Sequence, residues 1–327
     1  GFQGKDLSSP NSVAACAKHF AAYGFAESGR DYNTVDIGEN TLHNIVLPPF
    51  KAASEAGVST FMNAFNELNG IPATADKNLQ RDILKGDWGF DGFVVSDWGS
   101  LKEMVVHGYA RDKNHAGELA LNGGSDMDME SYIYLSELEL LVKDGRVSMA
   151  QIDDAVRRIL TVKYELGLFD DPFLYCDTIR EKEITGSREI REGVMDMAKK
   201  SIVLLKNDES ILPLKKQGQT IALIGPLAAD KNSPLGNWRI AAENNSAISV
   251  LEGMLKYEGN TILHEQGVKL VNSIPAFHQE VDINMTDKCG IKAAKRAAKK
   301  ADVVVMVLGE YGFQSGEARS RANLDLP

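Results

Sequence analysis

With 327 residues, 43% of them hydrophobic and 25% charged, the chain has the composition of a folded protein and enough length for two domains, which excludes a largely disordered chain. A formal charge of −10 and the absence of any Lys/Arg run with interleaved aromatics disfavour nucleic acid or an anionic membrane as partner, and no stretch approaches the roughly 18 apolar residues of a membrane span. Cys16, Cys176 and Cys289 offer neither a disulfide framework nor a metal-ligand spacing, and are expected to be small buried hydrophobes. The first residues lack the charged-then-apolar pattern of a signal peptide, but the chain begins at Gly1 without Met, which leaves the compartment open.

In chain order, apolar runs suited to buried parallel strands alternate with helix-period segments, the signature of an α/β fold. Strands are expected at 14–20, 58–64, 92–96 and 125–129. Helices are expected at 36–56, at 76–87 with an acidic start, at 132–143, and at 148–166, where Ser148 is placed as N-cap three residues before Gln151. Four strand–helix units make half of an eight-unit (β/α)8 barrel, here residues 1–166. Half a barrel leaves parallel edges unpaired, so a further segment or a complementary chain is expected to complete it. Residues 167–187, with Pro172, Gly186 and no clear period, read as a linker. Residues 188–327 read as part of an α/β sandwich domain, with helices at 188–206, 249–257 and 288–300 and strands at 220–224, 260–264 and 303–309.

Within this frame Asp97 is the first candidate for chemistry. It follows the buried run Phe93-Val94-Val95, so its carboxylate sits at the C-terminal end of a parallel strand, where barrel enzymes keep their sites. The competing reading is a loop-capping Asp. Trp98 offers an aromatic plate for the apolar face of a sugar ring, although a loop Trp can equally belong to the core. Lys18 and His19 close the first strand and reach the same end; a strand-end His is often structural, whereas a Lys beside it is unusual unless paired. Glu317 lies in the loop after the last apolar strand, the kind of position where open α/β sheets bind ligands, and otherwise reads as a solvated surface charge. Gly225-Pro226 lacks the residues that make a phosphate loop, and no second His or Cys stands at metal-ligand spacing.

Six stretches together carry a resemblance. They are Lys18-His19-Phe20-Ala21-Ala22-Tyr23-Gly24, Asn66-Glu67-Leu68-Asn69-Gly70-Ile71-Pro72-Ala73-Thr74, the run from Gly89 through Ser96-Asp97-Trp98 to Gly99, Lys163-Tyr164-Glu165-Leu166-Gly167-Leu168-Phe169, Ser201-Ile202-Val203-Leu204-Leu205-Lys206-Asn207, and Ser315-Gly316-Glu317-Ala318 leading to Leu324-Asp325-Leu326-Pro327. With these the chain resembles glycoside hydrolase family 3, in its bacterial periplasmic β-glucosidase-like branch. The resemblance implies a barrel, a linker and a sandwich domain, and retaining exo-acting hydrolysis of β-linked glucosides or oligosaccharides without metal or organic cofactor, in a periplasmic or secreted protein. It implies Asp97 as nucleophile, Glu317 as acid/base, and Lys18, His19, Met62 and Trp98 as sugar-binding residues. Retaining hydrolysis needs two such carboxyl groups about 5 to 5.5 Å apart, one ionised and one protonated.

Three departures qualify the resemblance. The loop Gly24 to Tyr32 contains no His, which disfavours the N-acetylglucosaminidase branch, and Phe65 stands where many glucosidases of the family place a Tyr. Family members also carry a further half-barrel before Lys18 and more of the sandwich domain after Pro327. The alternatives are a β-xylosidase or exo-glucanase of the same family, or an inactive fragment or non-enzymatic sugar-binding remnant.

Overall fold

The computed structural model describes residues 1–274, 279–321 and 323–326. They form two compact units, one of Gly1–Glu27 with Tyr32–Ile190, the other of Ser28–Asp31 with Arg191–Pro327.

The first unit is built on three parallel strands, β1 (Cys16–Phe20), β2 (Thr60–Asn63) and β5 (Phe93–Val95), with β2 in the middle. A small antiparallel pair, β3 (Glu67–Leu68) and β4 (Ile71–Pro72), follows β2. Phe20, Phe61 and Val94 are fully buried in one apolar cluster, and Phe61 meets Phe90 edge-on at 4.9 Å between ring centroids. Burying each such side chain contributes about 1.5–3 kcal/mol. In register, Phe61 stands beside Val94 and Met62 beside Val95, while the β1–β2 pairing slips between Ala17 and Phe20.

The expected strand at 125–129 is reduced to a single parallel bridge, Val95 to Met127. The reason is local: the Val94 N–H donates to the Asp126 side chain at 2.8 Å, which takes a donor that a longer ladder would use.

Helical structure runs through α1 (Glu39–Thr41), a π-type turn at Leu42–Val46, and α2 (Leu47–Glu55). The widened turn stands directly before Pro48 and Pro49, which have no N–H to give to an α ladder. The helix Asn78–Asp87 begins as its acidic start implied, with Asp76 Oδ1 accepting the Leu79 N–H at 3.0 Å. The structure adds α3 (Ser100–Val106) and α4 (Lys113–Gly123), which apolar periodicity did not announce. The cap signals of α4 are plain in retrospect, with Asp112 accepting from His115 N and Gly124 in the left-handed region. Next come α5 (Ile133–Lys143) and α6 (Met149–Glu165), the latter opened by the expected Ser148–Gln151 capping box. Within residues 167–187 lies α7 (Thr178–Ile184), capped by Asp177. Tyr175 and Arg180 tie this stretch to the N-terminal segment through the carbonyls of Leu7 and Pro10.

Helix α8 (Arg188–Ser201), whose residues from Arg191 on belong to the second unit, stops short of the expected 206, and residues 202–206 are irregular; β-branched Ile202 and Val203 are poor helix extenders. The sheet of this unit is wholly parallel in the order β7 (Gly259–Glu265), β6 (Gln217–Ile224), β8 (Val303–Met306). Between these strands, α9 (Val250–Leu255) has a Ser249–Glu252 capping box, and α10 (Ile291–Ala298) packs Ala294 and Ala297 against Ala222 and Ile224. All three cysteines are exposed, which corrects the expectation of buried thiols: they fall at a strand start and in loops, outside the apolar clusters. Among the described residues no helix is long and apolar enough to cross a membrane.

Candidate active site

The chain leaves β5 at Val95, and Ser96 and Asp97 follow immediately, both buried. Ser96 N donates to the Met127 carbonyl at 2.8 Å and Ser96 Oγ accepts the Met129 N–H at 2.8 Å, so the strand end is anchored from the next segment. The Asp97 carboxylate, with only 7% of the residue exposed, divides its oxygens between two settings. Oδ1 accepts the Trp98 N–H at 2.7 Å. Oδ2 is sealed from solvent and makes no hydrogen bond, and His19 Nε2 faces it at 3.3 Å. The imidazole, the first of the expected sugar-binding groups, therefore lies directly over the carboxylate.

The other candidates of this unit arrive on neighbouring strands. Lys18 is exposed beside His19, at the slip in the β1–β2 register, Met62 is half-buried on β2 next to Val95, and Trp98 is 65% exposed just past the carboxylate. An aromatic group continues from His19: Tyr23 meets it edge-on at 5.2 Å and stacks on Tyr32 at 6.3 Å, and Tyr32 meets Phe65 at 4.7 Å. Phe65 is thus a packing residue in an aromatic cluster, which suits a ring without a hydroxyl.

Behind the carboxylate stands a buried polar network that sequence reasoning missed. Asn63, the last residue of β2, accepts the Asp97 N–H at 3.3 Å through Oδ1 and also receives the Thr74 hydroxyl at 3.2 Å. Its Nδ2 donates to Ser125 Oγ at 2.8 Å, and Thr74 Oγ1 reaches Ser100 Oγ at 3.0 Å. Ser125 Oγ reaches Gln80 Oε1 at 3.1 Å, and Asn63, Ser125 and Gln80 are completely buried. The one available signal was a polar Asn directly after Phe61-Met62 at the end of the strand.

A second support lies below β5. Lys85 Nζ donates to both Asp126 oxygens, at 2.7 and 2.8 Å, and to the Gly124 carbonyl at 2.8 Å, while Asp126 also holds Val94 N. Burial pushes the Asp126 carboxyl up and the Lys85 amine down from their ordinary values, each opposed by the charge of the other. Arg158 from α6 adds bonds to the Phe90 and Gly92 carbonyls at 3.0 and 2.9 Å, so the strand that presents Asp97 is fixed at its entry as well.

Glu317 belongs to the second unit, where it is half-buried in the loop after β8. Asn237 Nδ2 donates to the Ser315 carbonyl at 2.9 Å, and Gly316 has φ +124° with a would-be Cβ 2.3 Å from that same nitrogen, a conformation that favours glycine. Arg319 closes the loop with its Nε on the Phe313 carbonyl at 2.9 Å, and Arg239 covers the Phe313 ring. Among the described residues no group of three or more His, Cys, Asp or Glu side chains is arranged to hold a metal ion.

The comparisons with known proteins bear on both units. Residues 1–162 match the glycosyl hydrolase family 3 N-terminal domain, and residues 202–327 match the C-terminal domain of the same family. A periplasmic beta-glucosidase of Salmonella typhimurium is 41% identical over 99% of the chain, which spans 44% of that protein. A beta-xylosidase of Formosa agariphila is 35% identical over 99% of the chain and 45% of its own length. The crystal structure of a beta-glucosidase from Listeria innocua in complex with glucose superposes over 100% of the chain and 43% of its own, with a TM-score of 0.87 at 37% identity. The chain thus spans less than half the length of these relatives. With family-specific matches in both units and this likeness over nearly every residue, the chain belongs to glycoside hydrolase family 3.

Proposed function

We propose that this chain carries the catalytic residues of a retaining, exo-acting β-glucosidase that removes terminal β-D-glucosyl residues by double displacement. The single observation that carries the reading is the setting of Asp97: a buried carboxylate at the end of a parallel strand, with one oxygen on a backbone N–H and the other under an imidazole. Asp97 is the nucleophile that forms the covalent glycosyl-enzyme, and Glu317 is the acid that protonates the departing oxygen and then the base that activates water. Lys18 and His19 hold sugar hydroxyls, Met62 lines the pocket, and Trp98 stacks at its entrance. Neither displacement calls on a metal or an organic cofactor.

In this reading residues 1–166 supply the C-terminal half of a (β/α)8 barrel, residues 167–187 connect it to an α/β sandwich domain at 188–327, and a complementary segment or chain supplies the remaining strands. A periplasmic or secreted setting is proposed from the Salmonella relative. The 35% identity to a beta-xylosidase favours one second reading, a β-xylosidase of the same double-displacement type.

The test is covalent trapping. Incubating the enzyme with 2,4-dinitrophenyl 2-deoxy-2-fluoro-β-glucoside and digesting it should yield a labelled peptide with the sugar on Asp97. A label elsewhere removes Asp97 from the role, and labelling by the fluoroxyloside in preference to the fluoroglucoside selects the xylosidase reading.

A further inference from the structure

We infer that Asp31 is a positioning residue for Glu317, acting through the peptide that follows it; the inference rests on the reading of Glu317 as acid and base. Residues Ser28–Asp31 come from the N-terminal part of the chain yet belong to the second unit, where they line up with the segment just past Glu317. Arg30 pairs with Ser320 in an antiparallel bridge, Asp31 N donates to the Arg319 carbonyl at 3.0 Å, and Arg321 N donates to the Gly29 carbonyl at 3.1 Å. Asp31 Oδ2 accepts the Ala318 N–H at 2.8 Å.

That last bond acts on the Glu317–Ala318 peptide plane, and the plane fixes the ψ angle of Glu317, from which the direction of its side chain follows. Ala318 has φ 59°, in the left-handed region that a residue with a Cβ adopts only when its surroundings hold it there. A carboxylate acceptor on its N–H is a charge-assisted bond, stronger than a neutral one, and it acts directly on this peptide. The approach itself is encoded at Gly29, where φ is +60° and a Cβ would stand 2.1 Å from the Arg321 carbonyl oxygen. From the other side Arg319 is held by the Phe313 carbonyl and by the Gln279 carbonyl at 2.6 Å, so the turn after Glu317 is gripped between two anchors.

The experiment compares kcat/KM of the enzyme for 2,4-dinitrophenyl β-glucoside, whose leaving group needs no proton, and phenyl β-glucoside, whose leaving group does. Asp31→Ala should lose roughly 10- to 100-fold on the phenyl substrate and little on the dinitrophenyl one, whose turnover also shows that the variant is folded. Asp31→Asn, which keeps an acceptor, should recover most of the loss. Gly29→Ala, which displaces the same segment without touching the carboxylate, should reproduce the selective loss if Asp31→Ala does not fold. An Asp31→Ala that is unaffected on both substrates, or equally impaired on both, while Glu317→Ala shows the leaving-group selectivity, overturns the positioning role and leaves the acid/base reading standing. A Glu317→Ala that loses equally on both overturns the acid/base reading and this inference with it.

Discussion

His19 Nε2 lies 3.3 Å from Asp97 Oδ2, an oxygen that is closed to solvent and has no hydrogen bond. The imidazole is therefore the nearest polar side chain to that oxygen, and in the proposed mechanism it holds a sugar hydroxyl beside the attacking atom. Removing the ring should uncover the oxygen but forfeit the hydrogen bond that His19 is proposed to give the sugar, worth about 1.5–3 kcal/mol where charge develops. His19→Ala is accordingly expected to lower kcat/KM by roughly 10- to 100-fold. In a double-mutant cycle with Asp97→Asn, measured by ground-state binding of a sugar-shaped inhibitor, the two effects should be strongly non-additive; additive effects would separate the two residues.

Asn63 holds the Asp97 backbone from behind. Truncating it to Ala leaves the buried Asp97 N–H without its acceptor and takes one partner each from the Ser125 and Thr74 hydroxyls, which keep bonds to Gln80 and Ser100, at a cost of about 1–3 kcal/mol for the unsatisfied group. Urea denaturation should show that loss. Turnover should fall through kcat more than through KM, because the contact sets the direction of the carboxylate and touches no substrate; a change in KM alone would contradict the assignment.

For the buried pair Lys85–Asp126, one partner removed is worse than both. Lys85→Met should cost about 3–5 kcal/mol by stranding a carboxylate whose burial already pushes its pKa up. Adding Asp126→Asn to Lys85→Met should recover a large part, since Asn keeps an acceptor for the Val94 N–H. Denaturation midpoints of the single and double variants decide the point, and a double variant no better than Lys85→Met would refute it.

Asp76 gives a pH signature. Burial raises its carboxyl pKa above the ordinary value, with the Leu79 N–H opposing. A raised folded-state pKa means that the folded protein binds this proton more tightly than the unfolded chain. The favourable contribution is then present in full below the unfolded value of about 4 and is lost as pH rises through the raised folded value. Asp76→Asn, which retains an acceptor for the cap, should be more stable than the parent at neutral pH, with the difference closing below about pH 4. A difference that stays constant across thermal melts from pH 3 to 7 would show that the carboxyl is not destabilised in the fold.

The sequence alone determined what depends on neighbours along the chain. Short apolar runs announced parallel strands, and the Ser148–Gln151 spacing announced a capping box, because both are local patterns read at fixed intervals. Asp97 was legible as a candidate because it follows the apolar run Phe93-Val94-Val95 with only Ser96 between, which puts it just past the end of a strand. The six motif stretches identified the family for the same reason. What tertiary structure decided is what depends on residues distant in sequence. Asn63, Thr74 and Ser125 carry no local mark of belonging together, and the three cysteines look apolar in composition but fall outside the clusters. Nothing near Asp31 predicts the Ala318 N–H as its partner, 287 residues away. Hydrogen bonds and charge pairs act over about 3 Å in space, and only the folded chain sets which groups come that close.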